Sequence, residues 1–227
     1  MKIVGVFRPK KDRFVSSLEE LGFSVLFAPS LKVVSVEHTY NPPYDWIVFT
    51  SANGVENFKM DFNGEKIACI GPATAKAVED RGGVVTYIPD EFVAESIDLG
   101  ELLGQKILLP RAKKARDVLP ENLKKRGAIV DVVVTYDVET NYDSLRLIES
   151  AKKPDFLTFT SSSTVDSTIE LIERAGKGDW LRESCLVCIG PITEGRLKEK
   201  GYSGALVARE YTTKGIVEVI SEVSRSM

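Results

Sequence analysis

Histidine is almost missing from the sequence and cysteine is scarce: His38 stands alone, and Cys69, Cys185 and Cys188 are the three cysteines in 227 residues. One histidine in a polar stretch leaves no basis for a Ser-His-Asp triad or a histidine-held metal. Three cysteines do not make the disulfide framework of a small secreted domain. Cys185 and Cys188 do form a C-x-x-C, but ESCLVCIG reads as a short buried strand, where positions i and i+3 point to opposite faces. They are expected to be core thiols, since a buried free cysteine behaves as a small hydrophobe. Apolar runs of membrane-spanning length are lacking too, so no membrane partner is expected. A basic excess is also lacking. The formal net charge is -3, which argues against a broad nucleic-acid face, because sequence-independent phosphate binding needs a net positive field. The start, MKIVGVFRPKK, reads as a strand followed by a basic loop rather than a secretory signal, so a cytoplasmic protein is expected.

What is present is an ordinary folding composition, with 43% hydrophobic and 28% charged residues, enough to bury a core without disulfides or metal. Its strongest internal signal is a duplication in the order A, B, A, B. KIVGVFRPKKDRFVSSLEELG from Lys2 matches KILLPRAKKARDVLPENLKKRG from Lys106. FTSANGVENF at Phe49 and CIGPATAKAVEDRGG at Cys69 match FTSSSTVDST at Phe159 and CIGPITEGRLKEKGY at Cys188. Cys69 and Cys188 thus share one position.

The runs WIVFT, VVTYI, KILL, VDVVV, FLTFT and ALVA are continuously apolar, as strands buried on both faces are. Helical spacing joins Phe14, Leu18 and Leu21, and again Val165, Ile169 and Ile172. Gly22, Gly82, Gly127 and Gly201 fall where those helices should stop. About ten strands alternating with helices predict an α/β protein with parallel sheets. Polar segments at 35–43 and 135–142 are the linker candidates. Cutting there yields an inserted domain over 44–134 and a discontinuous one from 1–34 plus 143–227, each expected to hold five strands.

In parallel sheets, ligands gather at the carboxyl ends of strands, where helix N-termini present unpaired N–H groups. The repeated motifs fall there. Thr50, Ser51 and Asn53, and then Ser161 and Ser162, end a strand and open a helix. Gly71 with Thr74, and Gly190 with Thr193, do likewise, each with proline in the first turn, where its missing N–H costs little. Ordinary N-capping explains any one of them; four, paired by duplication, point to a binding surface. Arg8 and Arg111 stand at strand ends in basic loops and are candidate anion ligands, while the neighbouring lysines read as a solvated face. Tyr136 closes the last strand of the inserted domain. No phosphate-binding glycine motif is present.

FTSANGVENF, IGPATAKAVEDRGG, LLPRAKKARDVLPENLKKRGAIVDVVVTYDVE, FTSSSTV and IGPITEGRLKEKGY, in this order and spacing, resemble the uroporphyrinogen-III synthase family. The resemblance covers nearly the whole chain. It implies two flavodoxin-like domains, each a five-stranded parallel sheet flanked by helices, joined by a two-stranded linker. It also implies hydroxymethylbilane as substrate, no cofactor and no metal, and candidate functional positions at Thr74, Tyr136, Ser161 and Thr193. Tyr136 would be the catalytic group, and the other positions named above would bind substrate. A monomer is expected, in transient contact with the preceding enzyme of tetrapyrrole biosynthesis. The chain departs from the family pattern at Glu194 and Gly195, where small residues are commoner.

This chemistry suits a site without strong acids or bases. Hydroxymethylbilane loses water readily, its terminal pyrrole is already a carbon nucleophile, and the task is to hold a flexible octacarboxylate so that ring D is inverted. That is proximity and orientation work. On the residues alone, a non-catalytic receptor for an anionic small molecule remains open, as does a sugar or phosphate transferase.

Overall fold

A computed structural model describes residues 1–91 and 97–226. Its chain falls into two compact units, one made of Met1–Lys32 with Glu139–Met227 and the other of Val33–Val138. Each is a parallel-rich sheet with helices against it.

The discontinuous unit begins with β1 (Ile3–Val6), α1 (Arg13–Glu20) and β2 (Ser24–Phe27), and its chain then runs into β3 (Leu31–Ser35). The inserted unit follows with β4 (Trp46–Phe49), α2 (Ala52–Glu56), β5 (Lys66–Cys69), α3 (Pro72–Asp80), β6 (Val85–Tyr87), β7 (Lys106–Ala112), α4 (Val118–Lys125) and β8 (Ile129–Thr140). The chain returns through a short 3₁₀ turn to α5 (Leu145–Ser150), β9 (Phe156–Phe159), α6 (Ser162–Arg174), α7 (Trp180–Glu183), β10 (Cys185–Cys188), α8 (Pro191–Glu199), β11 (Leu206–Val207) and α9 (Thr213–Ser224).

The first sheet has five strands in the order β11-β10-β9-β1-β2, joined by parallel ladders. The second has six rather than the expected five, ordered β3-β8-β7-β4-β5-β6. The sixth, β3, comes from the end of the segment 1–34 expected in the discontinuous domain. β8 runs twelve residues, long enough that β3 also pairs along it, with the Val36 N–H donating to the Thr135 carbonyl at 3.0 Å.

Continuous apolar strands have the predicted consequence: β4 and β9 are buried at every position. Phe7, Phe156 and Phe159, and in the other unit Phe49, are fully buried; removing one such ring typically costs about 3–5 kcal/mol. Val165, Ile169 and Ile172 are buried on α6 as the spacing requires. Leu21 departs from expectation and is 54% exposed. It is the C-cap residue of α1, so the apolar stripe ends at Leu18 and Val15 takes the third buried place. The four predicted stop glycines all adopt positive φ just beyond their helices, a conformation that lets the chain leave the last turn without a Cβ clash.

Candidate functional site

In the inserted unit, β4 ends at Phe49 and Ser51 caps α2, its Oγ accepting the Gly54 N–H at 3.2 Å. Thr50 stands between strand and cap, and Asn53 lies in the first turn, where its carbonyl accepts from the Asn57 side chain at 2.9 Å. One strand over, Gly71 caps α3 without a side chain, and Pro72 opens the helix. A glycine cap leaves first-turn amides that a serine would have bonded. Buried Thr74 directs its hydroxyl proton to the Ile70 carbonyl at 3.0 Å, so its oxygen is left as an acceptor.

On the other side of β4, the pairing of β7 with β8 slips by one residue between Arg111 and Ala112: Arg111 faces Val134, whereas Ala112 faces Tyr136. Thr135 is the extra residue. Such bulges re-aim the side chains that follow. Tyr136, 6% exposed, has its Oη 2.9 Å from Ser51 Oγ. The structure thus brings Tyr136 together with Ser51, residues 85 apart in sequence and joined by no pattern visible there. Chemically this is a pair of neutral hydroxyls beside helix amides, able to donate and accept but not to act as a strong base.

Arg111 is buried and turned into its own loop. Its guanidinium donates to the carbonyls of Ala115 at 2.5 Å and Arg116 at 3.3 Å, and it pairs with Asp117 at 2.9 Å. Arg8, its counterpart in the discontinuous unit, is more open. It pairs with Asp12 at 3.1 Å and lies 6.0 Å over the Phe14 ring.

In that discontinuous unit Ser161 caps α6, accepting the Thr164 N–H at 3.2 Å, and its Oγ lies 2.7 Å from Thr164 Oγ1 and 3.1 Å from Ser163 Oγ. Ser162 is the first residue of α6. Gly190 caps α8 with no side-chain bond, followed by Pro191 and the buried Thr193. Glu194, in the first turn of α8, is held by Lys198 at 2.6 Å.

The thiols take no part in such chemistry. Burial, with Glu79 a smaller contributor, pushes Cys69 up to about 12, and burial with Glu194 does the same to Cys188. Burial also raises Cys185. A thiol so shifted is protonated and a poor nucleophile or ligand. Among the described residues, no group of three or more His, Cys, Asp or Glu could hold a metal ion. No helix there is long and apolar enough to cross a membrane.

Two parallel-rich α/β units, each opening helices after the carboxyl ends of its strands and collecting amides and hydroxyls there, define the class of fold. Residues 12–218 match the family model described as uroporphyrinogen-III synthase HemD, and the chain belongs to that family. It is 31% identical to a putative uroporphyrinogen-III synthase of Methanocaldococcus jannaschii over 97% of this chain and 98% of that protein. It is 27% identical to the uroporphyrinogen-III synthase of Synechococcus elongatus over 93% and 90%. Among solved structures, it resembles the uroporphyrinogen-III synthetase of Helicobacter pylori with a TM-score of 0.68 at 19% identity, covering 98% and 99% of the two chains.

Proposed function

We propose that this chain is a uroporphyrinogen-III synthase that converts hydroxymethylbilane to uroporphyrinogen III. Water leaves from the hydroxymethyl carbon of ring A, the substituted carbon of ring D attacks to give a spiro intermediate, and that intermediate fragments and recloses with ring D inverted. Both units are read as flavodoxin-like, and the discontinuous one has the corresponding 2-1-3-4-5 strand order when its strands are numbered within the unit. Segments 35–43 and 135–142 serve as the linkers.

The observation that carries the reading is the part-buried Ser51–Tyr136 hydroxyl pair at the carboxyl end of the inserted sheet, in a chain of this family. A neutral donor suits departure of an oxygen that is already prone to leave. Glycine-capped α3 and α8, with Thr74 and Thr193 inside their first turns, would receive carboxylates through amide N–H groups. Arg8 serves as an anion ligand on this reading, and Arg111 holds the loop that follows β7. Ring orientation supplies the larger share of the effect.

Incubating the protein with hydroxymethylbilane and separating the isomers after oxidation tests the proposal. Type III product above the spontaneous type I background is expected. Tight binding with only type I formed would identify an anion receptor instead.

A further inference from the structure

Ser51 does more than cap a helix. Its Oγ accepts the Gly54 N–H through one lone pair, and capping leaves its proton unspent. In the discontinuous unit the corresponding cap, Ser161, meets only hydroxyls of its own helix. Ser51 instead meets a phenol carried by β8, delivered there by the one-residue slip at Thr135. The two hydroxyls hold two protons between them, and their mutual bond uses one. Whichever group donates, one proton stays available to a third oxygen. Phenols are stronger donors than alkyl hydroxyls, and alkyl oxygens are stronger acceptors. At rest, therefore, Tyr136 donates to Ser51, and Ser51 holds the outward proton.

We propose that Ser51 and Tyr136 form one donor unit, with Ser51 delivering the proton to the leaving oxygen and Tyr136 replenishing it; the assignment rests on the synthase reading above. As the carbon–oxygen bond of the hydroxymethyl group breaks, the Ser51 proton passes to the departing oxygen and completes water. The Tyr136 proton moves to Ser51 Oγ. The proton that ring A nitrogen loses on becoming the azafulvene returns through solvent to the Tyr136 oxygen, so the pair ends as it began. Either hydroxyl can serve alone, less well, when the other is removed.

Single-turnover rates on the full chain test this with Ser51→Ala, Tyr136→Phe and the double variant. Each single change is expected to slow conversion about tenfold, and the double about a thousandfold, more than the two combined. Ser51→Gly, which keeps a helix cap better than alanine does, should match Ser51→Ala, and Ser51→Thr should restore most of the rate. Ser51→Ala turning over at the wild-type rate would reduce Ser51 to a cap. A second measurement needs no turnover: with ring-labelled tyrosine, Ser51→Ala should shift the Tyr136 Cζ resonance of the resting protein. An unmoved resonance overturns the pair while leaving the synthase reading intact. A shifted resonance in a protein that makes no type III isomer overturns the synthase reading, and with it the proton transfer, but not the pairing.

Discussion

The two units are the same object assembled from the chain in opposite orders. Matching repeat to repeat, β1, β2, β9, β10 and β11 correspond to β7, β8, β4, β5 and β6, and both sheets then have one spatial order, save for β3 added at the edge of the second. Within the inserted unit the B piece precedes the A piece; within the discontinuous unit it follows. Neighbouring strands are the same in either case because the parallel ladder and the buried faces, not the connection, decide which strands pair. The carboxyl ends nevertheless differ. One has a serine cap joined to a phenol, a buried arginine and a glycine at φ 86°; the other has a serine cap joined to its own helix, a more open arginine and an extended glycine. Duplication preserved the scaffold while the ends of its strands diverged.

The sharpest break in this comparison is catalytic. Tyr136→Phe should lower the single-turnover rate about tenfold while still giving isomer III. Ser161→Ala should instead raise KM and cost about 1 kcal/mol of stability through the lost cap of α6, with kcat little changed. Equal loss of kcat in the two variants would mean that the two ends share the chemistry.

The arginines come next. Arg111→Gln strands two loop carbonyls and Asp117, and is expected to destabilise the protein by about 2 kcal/mol in urea unfolding. Arg8→Gln removes a partly exposed pair and should cost under about 1 kcal/mol. If Arg8 is the anion ligand of the two, its loss should also flatten the salt dependence of ligand binding.

The cap glycines should separate by a similar amount. Gly71 has φ 86° and ψ 161°, a region essentially reserved for glycine, so Gly71→Ala should cost about 1–3 kcal/mol. Gly190 is extended, and an added Cβ would meet the Tyr211 ring at an ordinary 3.5 Å, so Gly190→Ala should fall within about 0.5 kcal/mol. Thermal or urea unfolding of the two single variants decides this.

The smallest effect should be the same in both units. Cys69 and Cys188 are raised from 9.0 to about 12 in the folded protein. The folded state therefore holds these protons more tightly than the unfolded chain does. Their contribution is fully present below pH 9 and is lost as pH rises from there toward 12. At pH 9.5 each thiol should already cost under about 1 kcal/mol. Cys69→Ala and Cys188→Ala should each flatten the alkaline fall in urea-derived stability; a slope unchanged by either would show that other groups govern it.

Much of the scaffold was legible before the structure. Unbroken β-branched runs can be buried only on both faces, and this marked β4, β7 and β9; capping residues and stop glycines bounded the helices because their chemistry is local. The second sheet's sixth strand was not legible, since 31–35 becomes a strand only where β8 runs long enough to pair with it. Leu21 was misplaced on α1 because periodicity alone does not reveal where a helix's last turn opens. The functional positions were legible as residue types at strand ends, but their partners were not. Arg111 and Arg8 look alike in sequence and each pairs with the aspartate that caps the next helix, but only Arg111 is buried and bonded to two carbonyls of its loop.

By itself the sequence determined the α/β class, the duplication, the place of Cys69 and Cys188 in the core, with Cys185 half-buried at its edge, and the edge at which helix N-termini collect, since each follows from propensity, periodicity or polarity within a few residues. Only the tertiary structure decided that Ser51 meets Tyr136, that β3 extends the second sheet and that the glycines of two matching caps adopt different conformations. These depend on ladder register and on contacts between residues far apart in the chain. A single slipped residue at Thr135 puts Tyr136 opposite Ala112, and no local pattern in the sequence records that slip.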